Sequence, residues 1–251
     1  MKREKTALVT GAASGIGLAV AHRLAKSGVT TLMLDCSQEV TEKATELAAQ
    51  GGKAVGHVVD LADSAALDRW LQDVLKQYGT VDIIVNNAGI HPKKEGGKFL
   101  VEEISLRDWE KVLAINLNAP FQICAKLLPA MKKGGWGRVV NIGSAGARMR
   151  PVTPSSHYVA SKAGIVGLTH CIAEEYARDG ITANCVAPGP VKTGLTASSS
   201  PESIVRLTQS VPMGRYGTPD ELAAAIVFLT SEDASFVNGA VFDVNGGAAM
   251  V

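Results

Sequence analysis

The chain has 251 residues, 46% of them apolar and 20% charged, with a formal net charge of +1. That length sits at the upper end of a single domain and suffices to bury roughly 70–75% of the unfolded surface. The near-neutral balance argues against a general nucleic-acid or membrane footprint, and no apolar run reaches the roughly 20 residues needed to span a bilayer.

Met1 to Lys5 is polar and leads straight into a strand-like run, which leaves no room for a signal peptide. Cys36, Cys124, Cys171 and Cys185 show no Cys-x-x-Cys spacing and read mostly as small buried hydrophobes, as suits a reducing cytoplasm. His22, His57, His91, His157 and His170 fall in unrelated segments, so no metal site is expected.

Thr6 to Thr10 is a short β-favouring run, followed by Gly11-Ala12-Ala13-Ser14-Gly15-Ile16-Gly17 and then by helical periodicity from Leu18 to Ala25. A strand, a glycine-rich turn and a helix make a phosphate cradle. The helix N-terminus offers backbone N–H groups and a favourable dipole, and the glycines let a pyrophosphate approach the backbone. Thr31 to Leu34 reads as the second strand, with Asp35 at its carboxyl end. A carboxylate there accepts both adenosine ribose hydroxyls and repels a 2′-phosphate; Cys36 and Ser37 supply no arginine to hold one. The expected cofactor is therefore NAD rather than NADP.

Helices over Gln38–Gln50 and Asp63–Tyr78 flank a third strand, Lys53–Val59, which ends in Asp60-Leu61, where a carboxylate can reach an adenine amino group. Val81 to Val85 is the fourth strand and runs into Asn86-Asn87-Ala88-Gly89. This alternation predicts right-handed crossovers and a parallel sheet covered on both faces. Arg138–Ile142 is the fifth strand, with Ser144 just beyond its carboxyl end. A helix over Ser156–Asp179 carries Tyr158 and Lys162 one turn apart on one face. An ammonium so close is expected to pull the phenol below its ordinary value of about 10, into the range of a proton donor or acceptor. Ile181–Ala187 is the sixth strand, leading into Pro188-Gly189-Pro190-Val191-Lys192-Thr193. Residues about 190–215 read as a substrate lid. Thr218-Pro219-Asp220-Glu221 forms a capping box before a helix to Thr230, and Val241–Val244 is the last strand. The whole is read as an α/β single-domain Rossmann fold over residues 1–251, a doubly wound parallel sheet of about seven strands.

Thr10-Gly11-x-x-x-Gly15-x-Gly17, Asn86-Asn87-Ala88-Gly89, Ile115-Asn116-Leu117, Ser144, Tyr158-x-x-x-Lys162 and Pro188-Gly189, in this order, resemble the short-chain dehydrogenase/reductase family over roughly residues 5–247. The pattern is most similar to the 3-oxoacyl-[acyl-carrier-protein] reductase-like branch. The resemblance implies a catalytic tetrad of Asn116, Ser144, Tyr158 and Lys162. It implies a cofactor pocket of Gly11, Ser14, Gly15, Ile16, Gly17, Asp35, Asp60, Leu61, Asn87, Ala88, Gly89, Tyr158, Lys162, Pro188, Gly189, Val191 and Thr193. It also implies a homotetramer, built partly on the helix face Ala163, Val166, Gly167, His170, Cys171 and Glu174.

The implied reaction moves a hydride between nicotinamide and a secondary alcohol or ketone. Tyr158 handles the proton, and Ser144 donates to the carbonyl oxygen as charge develops on it. Lys162 holds the nicotinamide ribose, and Asn116 breaks its helix to hold a proton-relay water. A sugar, polyol or other small secondary alcohol is the alternative substrate to a 3-oxoacyl thioester. A non-catalytic NAD-binding scaffold and an epimerase are more distant readings. His91, Arg148, Arg150, Ser155 and His157 are expected with Ser144 near the pocket mouth, His91 and an arginine selecting an anionic or strongly polar substrate. An acyl carrier protein partner would need a basic rim, for which Lys133, Arg138 and Arg178 are the candidates, although ordinary surface charge is the simpler reading.

Overall fold

The computed structural model describes residues 4–94, 97–149, 154–194 and 201–250. Seven strands form one sheet in the order β3-β2-β1-β4-β5-β6-β7, every neighbouring pair parallel. They are β1 (Thr6–Thr10), β2 (Thr30–Asp35), β3 (Ala54–Val58), β4 (Ile83–Asn86), β5 (Gly137–Ile142), β6 (Ile181–Pro188) and β7 (Val241–Val244). Strand order reverses between β1 and β4, so the chain ends there diverge and leave a crevice at the carboxyl edge. No described helix is long and apolar enough to cross a membrane.

The two faces of the sheet are covered by different helices. Ala7, Val9, Met33, Val85 and Val140 face α1 (Gly15–Lys26), α2 (Glu39–Ala49) and α8 (Pro219–Leu229). Leu8, Leu32, Leu34, Ile84 and Val139 face α3 (Ser64–Tyr78), α5 (Ala119–Gly134) and α6 (Ser156–Tyr176). Successive residues of a strand point to opposite faces, and both faces of the five central strands, β2, β1, β4, β5 and β6, are largely buried. The strands therefore read as continuous apolar runs rather than as alternating ones. The remaining α-helices among the described residues are α4 (Leu106–Leu113) and α7 (Pro201–Ser210).

Several sequence expectations hold locally. Asp63 caps α3 by accepting from Ala66 N at 2.9 Å, and Thr218 with Glu221 forms the expected capping box on α8. Proline begins α7, while residues 195–200 of the expected lid lie outside the described residues. The helix face from Ala163 to Glu174 is largely exposed.

Others are corrected. Only Cys124 and Cys185 are buried; Cys36 and Cys171 are exposed. β4 begins at Ile83 rather than Val81, and buried Asp82 just before it accepts from Thr6 N through its carboxylate at 2.7 Å. Arg138 is no part of a basic rim. It is 3% exposed, donates to the carbonyls of Gly137, Gly180 and Ser231, and stacks on Trp136 with its guanidinium carbon 4.4 Å from the ring centroid. It also stands at the amino end of β5, the edge of the sheet away from the crevice, as do Lys133 before β5 and Arg178 before β6.

Candidate functional site

The crevice at the carboxyl edge is a cleft of about 490 Å³ running from Asp35, Asp60 and Leu61 past the glycine-rich turn to Ser144, Tyr158 and Lys162. Gly11, Ser14, Gly15, Ile16, Asn87, Ala88, Gly89, Pro188, Gly189, Val191 and Thr193 line it between those ends.

The glycine turn closes on β4. Asn87 Nδ2 donates to the carbonyls of Thr10 (2.9 Å) and Gly11 (3.2 Å), while Thr10 Oγ1 accepts from the backbone N–H groups of Asn87 and Ala88, each at 3.0 Å. A Cβ on Gly17 would lie 2.1 Å from the Gly11 carbonyl oxygen, so helix and turn are in contact through bare backbone. Gly17 is thus placed behind the cleft wall and supports the turn. Gly11 has φ +65°, a left-handed conformation in which a side chain is strained. This leaves the first N–H groups of α1 facing the cleft from Ser14 onward, and the Ser14 side chain does not cap them. An uncapped helix N-terminus with a glycine cradle fits the pyrophosphate of a dinucleotide.

Asp35 is held by two backbone donors, Ala13 N to Oδ2 at 3.1 Å and Ser37 N to Oδ1 at 3.0 Å. Among the described residues no cation lines this end. The two lysines of the cleft wall, Lys93 and Lys162, belong to the other. Asp60 lines the wall while its Oδ1 accepts from Ala62 N at 2.9 Å, a turn contact that fixes the carboxylate.

At the far end the backbone of the α4–α5 helix breaks as expected, and the form of the break is a π turn over Ala114–Asn118. Such turns widen the helix and push one residue out of the regular ladder. Asn116, 1% exposed, uses that freedom to accept from Ile90 N (2.8 Å) and donate to Ile90 O (3.0 Å) and Ser161 Oγ (3.0 Å). Its amide thus pins the loop after β4 to α6. A second buried chain, Asn86 Nδ2 to Asn141 Oδ1 (2.8 Å) and Asn141 Nδ2 to Thr169 Oγ1 (2.9 Å), ties β4 and β5 to the same helix.

Lys162 is 4% exposed and donates from Nζ to Ile142 O at 2.6 Å; burial lowers it to about 8. Ser144, just beyond β5, has its Oγ oriented by Gly146 N at 3.1 Å, and its hydroxyl hydrogen-bonds the Tyr158 phenol. The Tyr158 phenol is pushed above its ordinary value, chiefly by desolvation, with the Ser144 hydrogen bond pulling the other way. The expected lowering by Lys162 is therefore absent. The ammonium is 5.9 Å from the ring centroid and engaged by the Ile142 carbonyl, and burial outweighs it.

His91 lies face to face with Tyr158, ring centroids 4.3 Å apart and planes 27° from parallel, and it lines the cleft. Burial, with Lys93 and His157 nearby, lowers it to about 4, so it is neutral at pH 7 and does not attract an anion by charge.

Of the rest of the expected pocket mouth, Arg148, Ser155 and His157 do not line the cleft. Arg148 pairs with Asp243 on β7. Ser155 is buried and accepts from Phe99 N at 2.9 Å. His157 is 1% exposed, its Nδ1 accepting from Tyr158 N at 2.9 Å and its ring edge-on to Phe99. Arg150 lies outside the described residues. Sequence reasoning missed Ile90 and Ser161, which hold Asn116, and Ile142, whose carbonyl holds Lys162. Ile90 and Ile142 act through backbone groups that their side chains do not announce.

With this geometry in view, the comparisons are consistent. Residues 11–249 match the family model described as enoyl-(acyl carrier protein) reductase. A 3-oxoacyl-[acyl-carrier-protein] reductase from Aquifex aeolicus is 38% identical over 97% of this chain and 96% of its own length. Among solved structures, a protein from Beutenbergia cavernae described as an NAD(P)-dependent gluconate 5-dehydrogenase, with NADP bound at low occupancy, superposes with a TM-score of 0.91. It is 38% identical, over 97% of this chain and 96% of that one. A 3-oxoacyl-[acyl-carrier protein] reductase from Brucella melitensis with bound NAD also gives 0.91, at 33% identity, covering 100% of this chain and 93% of that one. The chain belongs to the short-chain dehydrogenase/reductase family. It is an oxidoreductase acting on the secondary alcohol–ketone pair with a nicotinamide cofactor.

Proposed function

We propose that the chain is an NAD-preferring enzyme in which Asn116, Ser144, Tyr158 and Lys162 form the catalytic tetrad. The convergence of Ser144, Tyr158 and Lys162 on one cleft whose opposite end holds a carboxylate, Asp35, with no arginine or lysine beside it among the described lining residues, carries this reading. Bound there, the nicotinamide would accept or return the hydride. Tyr158 exchanges the proton of the substrate oxygen, and the Ser144 hydroxyl donates to that oxygen as negative charge grows on it. Lys162, between the Ile142 carbonyl and the cleft, presents positive charge beneath the site. Asn116 keeps the loop carrying His91 and the helix carrying Tyr158 in fixed relation.

Asp35 supports NAD because its two fixed oxygens suit ribose hydroxyls and, among the described residues of the cleft wall, face no arginine or lysine that would hold a 2′-phosphate. The oligomer is proposed to be a tetramer that covers the exposed small-residue face of α6. As substrate, a 3-oxoacyl thioester is favoured by the 38% likeness to a reductase of that class, and a hydroxylated small molecule by equal likeness to the gluconate dehydrogenase.

The test is a titration with NADH and NADPH, read by fluorescence, for the wild type and Asp35→Ala. Tighter NADH in the wild type, with the preference cut about tenfold in the variant (about 1.4 kcal/mol), is expected. Equal or tighter NADPH in the wild type would overturn the NAD assignment.

A further inference from the structure

The Asn116 amide ties two rings of the cleft wall together by separate routes. On one side it holds both backbone groups of Ile90, the residue before His91. On the other its Nδ2 donates to Ser161 Oγ at 3.0 Å, and that hydroxyl donates to the Tyr158 carbonyl at 2.8 Å. The circuit closes through side chains, because the His91 and Tyr158 rings lie face to face with centroids 4.3 Å apart. His91 Nε2 is shut off from solvent and has no hydrogen-bond partner among the described residues. An imidazole so placed forgoes hydrogen bonding at that atom, at a cost in stability, and acts through its face. A ring stacked at that spacing leaves no room for water on the covered face of the phenol, and desolvation is the chief cause of the raised phenol.

We propose that His91 is a positioning residue: its ring keeps water off one face of Tyr158 and fixes the plane in which the phenol hydroxyl meets the substrate oxygen. The kinetic consequence rests on the reading of Tyr158 as the group that exchanges the proton; the effect on the phenol itself does not. His91 is neutral at pH 7 and brings no charge to the pair. The other groups about the two rings are Ser144, which bonds the phenol, Lys162 on the phenol's own helix, Lys93 on the loop of His91, and His157 with Asp108 of α4 beyond it. All of them are kept when the stacked ring alone is removed, so a shift on its removal reports the ring.

The first measurement is the alkaline titration of the phenol, followed by the ultraviolet absorbance of tyrosinate and isolated by subtracting the curve of Tyr158→Phe protein in the same background. In His91→Ala the step is expected about one pH unit below its wild-type position, as water reaches the opened face. In His91→Phe, which keeps a stacking ring and loses both nitrogens, it stays with the wild type. Circular dichroism along the same titration marks the range over which each protein is folded. The second measurement is reduction of ethyl acetoacetate by NADH at neutral pH. In His91→Ala kcat falls roughly tenfold while KM for NADH is unchanged, and His91→Phe restores most of the loss. Absence of turnover by the wild type would count against the proposed function while the phenol titration still decides this point. A step in His91→Ala at or above the wild-type position, no step in that variant before it unfolds, or an equal shift in His91→Phe would overturn the assignment.

Discussion

At the Asp35 end of the cleft the wall is backbone: a left-handed glycine, the first N–H groups of α1, and a carboxylate fixed by two main-chain donors. At the Tyr158 end it is side chains drawn from five places in the sequence, the loop after β4, the π turn, the end of β5, the segment beyond it and α6. The first end is made mainly by the chain from β1 to the end of β2, with Asp60 and Leu61 added from beyond β3, and depends on what side chains are missing. The second depends on cross-links between distant segments, so its chemistry is exposed to changes well away from the reacting atoms.

The sharpest way to separate the ends is Tyr158→Phe. It removes one oxygen from the side-chain end and should lower kcat/KM by about 10²–10⁴. Dinucleotide affinity, measured by fluorescence titration, should be nearly unchanged. A parallel loss of affinity would mean that the two ends are not independent.

Gly17→Ala attacks the other end. Its added Cβ would meet the Gly11 carbonyl at 2.1 Å, so the turn must open. A destabilisation of about 1–3 kcal/mol in a denaturant melt is expected, together with weakened dinucleotide binding. Normal affinity in the variant would show that the turn tolerates displacement.

The pH dependence sharpens the comparison next, because Tyr158 and Lys162 both sit at the side-chain end. Burial holds Lys162 at about 8 in the free enzyme, while the phenol of Tyr158 is raised and stays protonated through neutral pH. The kcat/KM for reduced dinucleotide in ketone reduction should be level at neutral pH and fall as the lysine loses its proton above about 8. A profile level to pH 9.5 would place the lysine's titration elsewhere.

The smallest effect belongs to Arg148→Ala. The guanidinium is committed to Asp243, in a pair whose side chains are 23% and 25% exposed. Its loss should cost no more than about 1 kcal/mol of stability. The Michaelis constant should not move. A clear rise in that constant for the substrate would return Arg148 to the pocket.

Much of this was legible in the residues. The order of apolar runs and turn signals specified the parallel sheet, because strands buried on both faces read as mainly apolar runs, their few polar residues such as Asn86, Arg138 and Asn141 being held by hydrogen bonds. The glycine spacing and Asp35 specified the dinucleotide end, because a turn of bare backbone is a local property. Tyr158 and Lys162 were placed on one helix face by periodicity alone, and the capping box at Thr218 was readable for the same reason.

Tertiary packing decided the rest. Tyr158 and Lys162 are neighbours in sequence, yet the sign of the phenol's shift came from burial and from the Ile142 carbonyl that engages the ammonium. Arg148 looked free in a loop and is spoken for by a strand 95 residues away. His91 looked like one more residue at the mouth and is stacked on Tyr158, held there through Ile90 by an asparagine in a π turn. Charge and hydrogen-bonding capacity are written in a sequence, whereas solvent exposure and the partner each group finds are set only when distant segments meet.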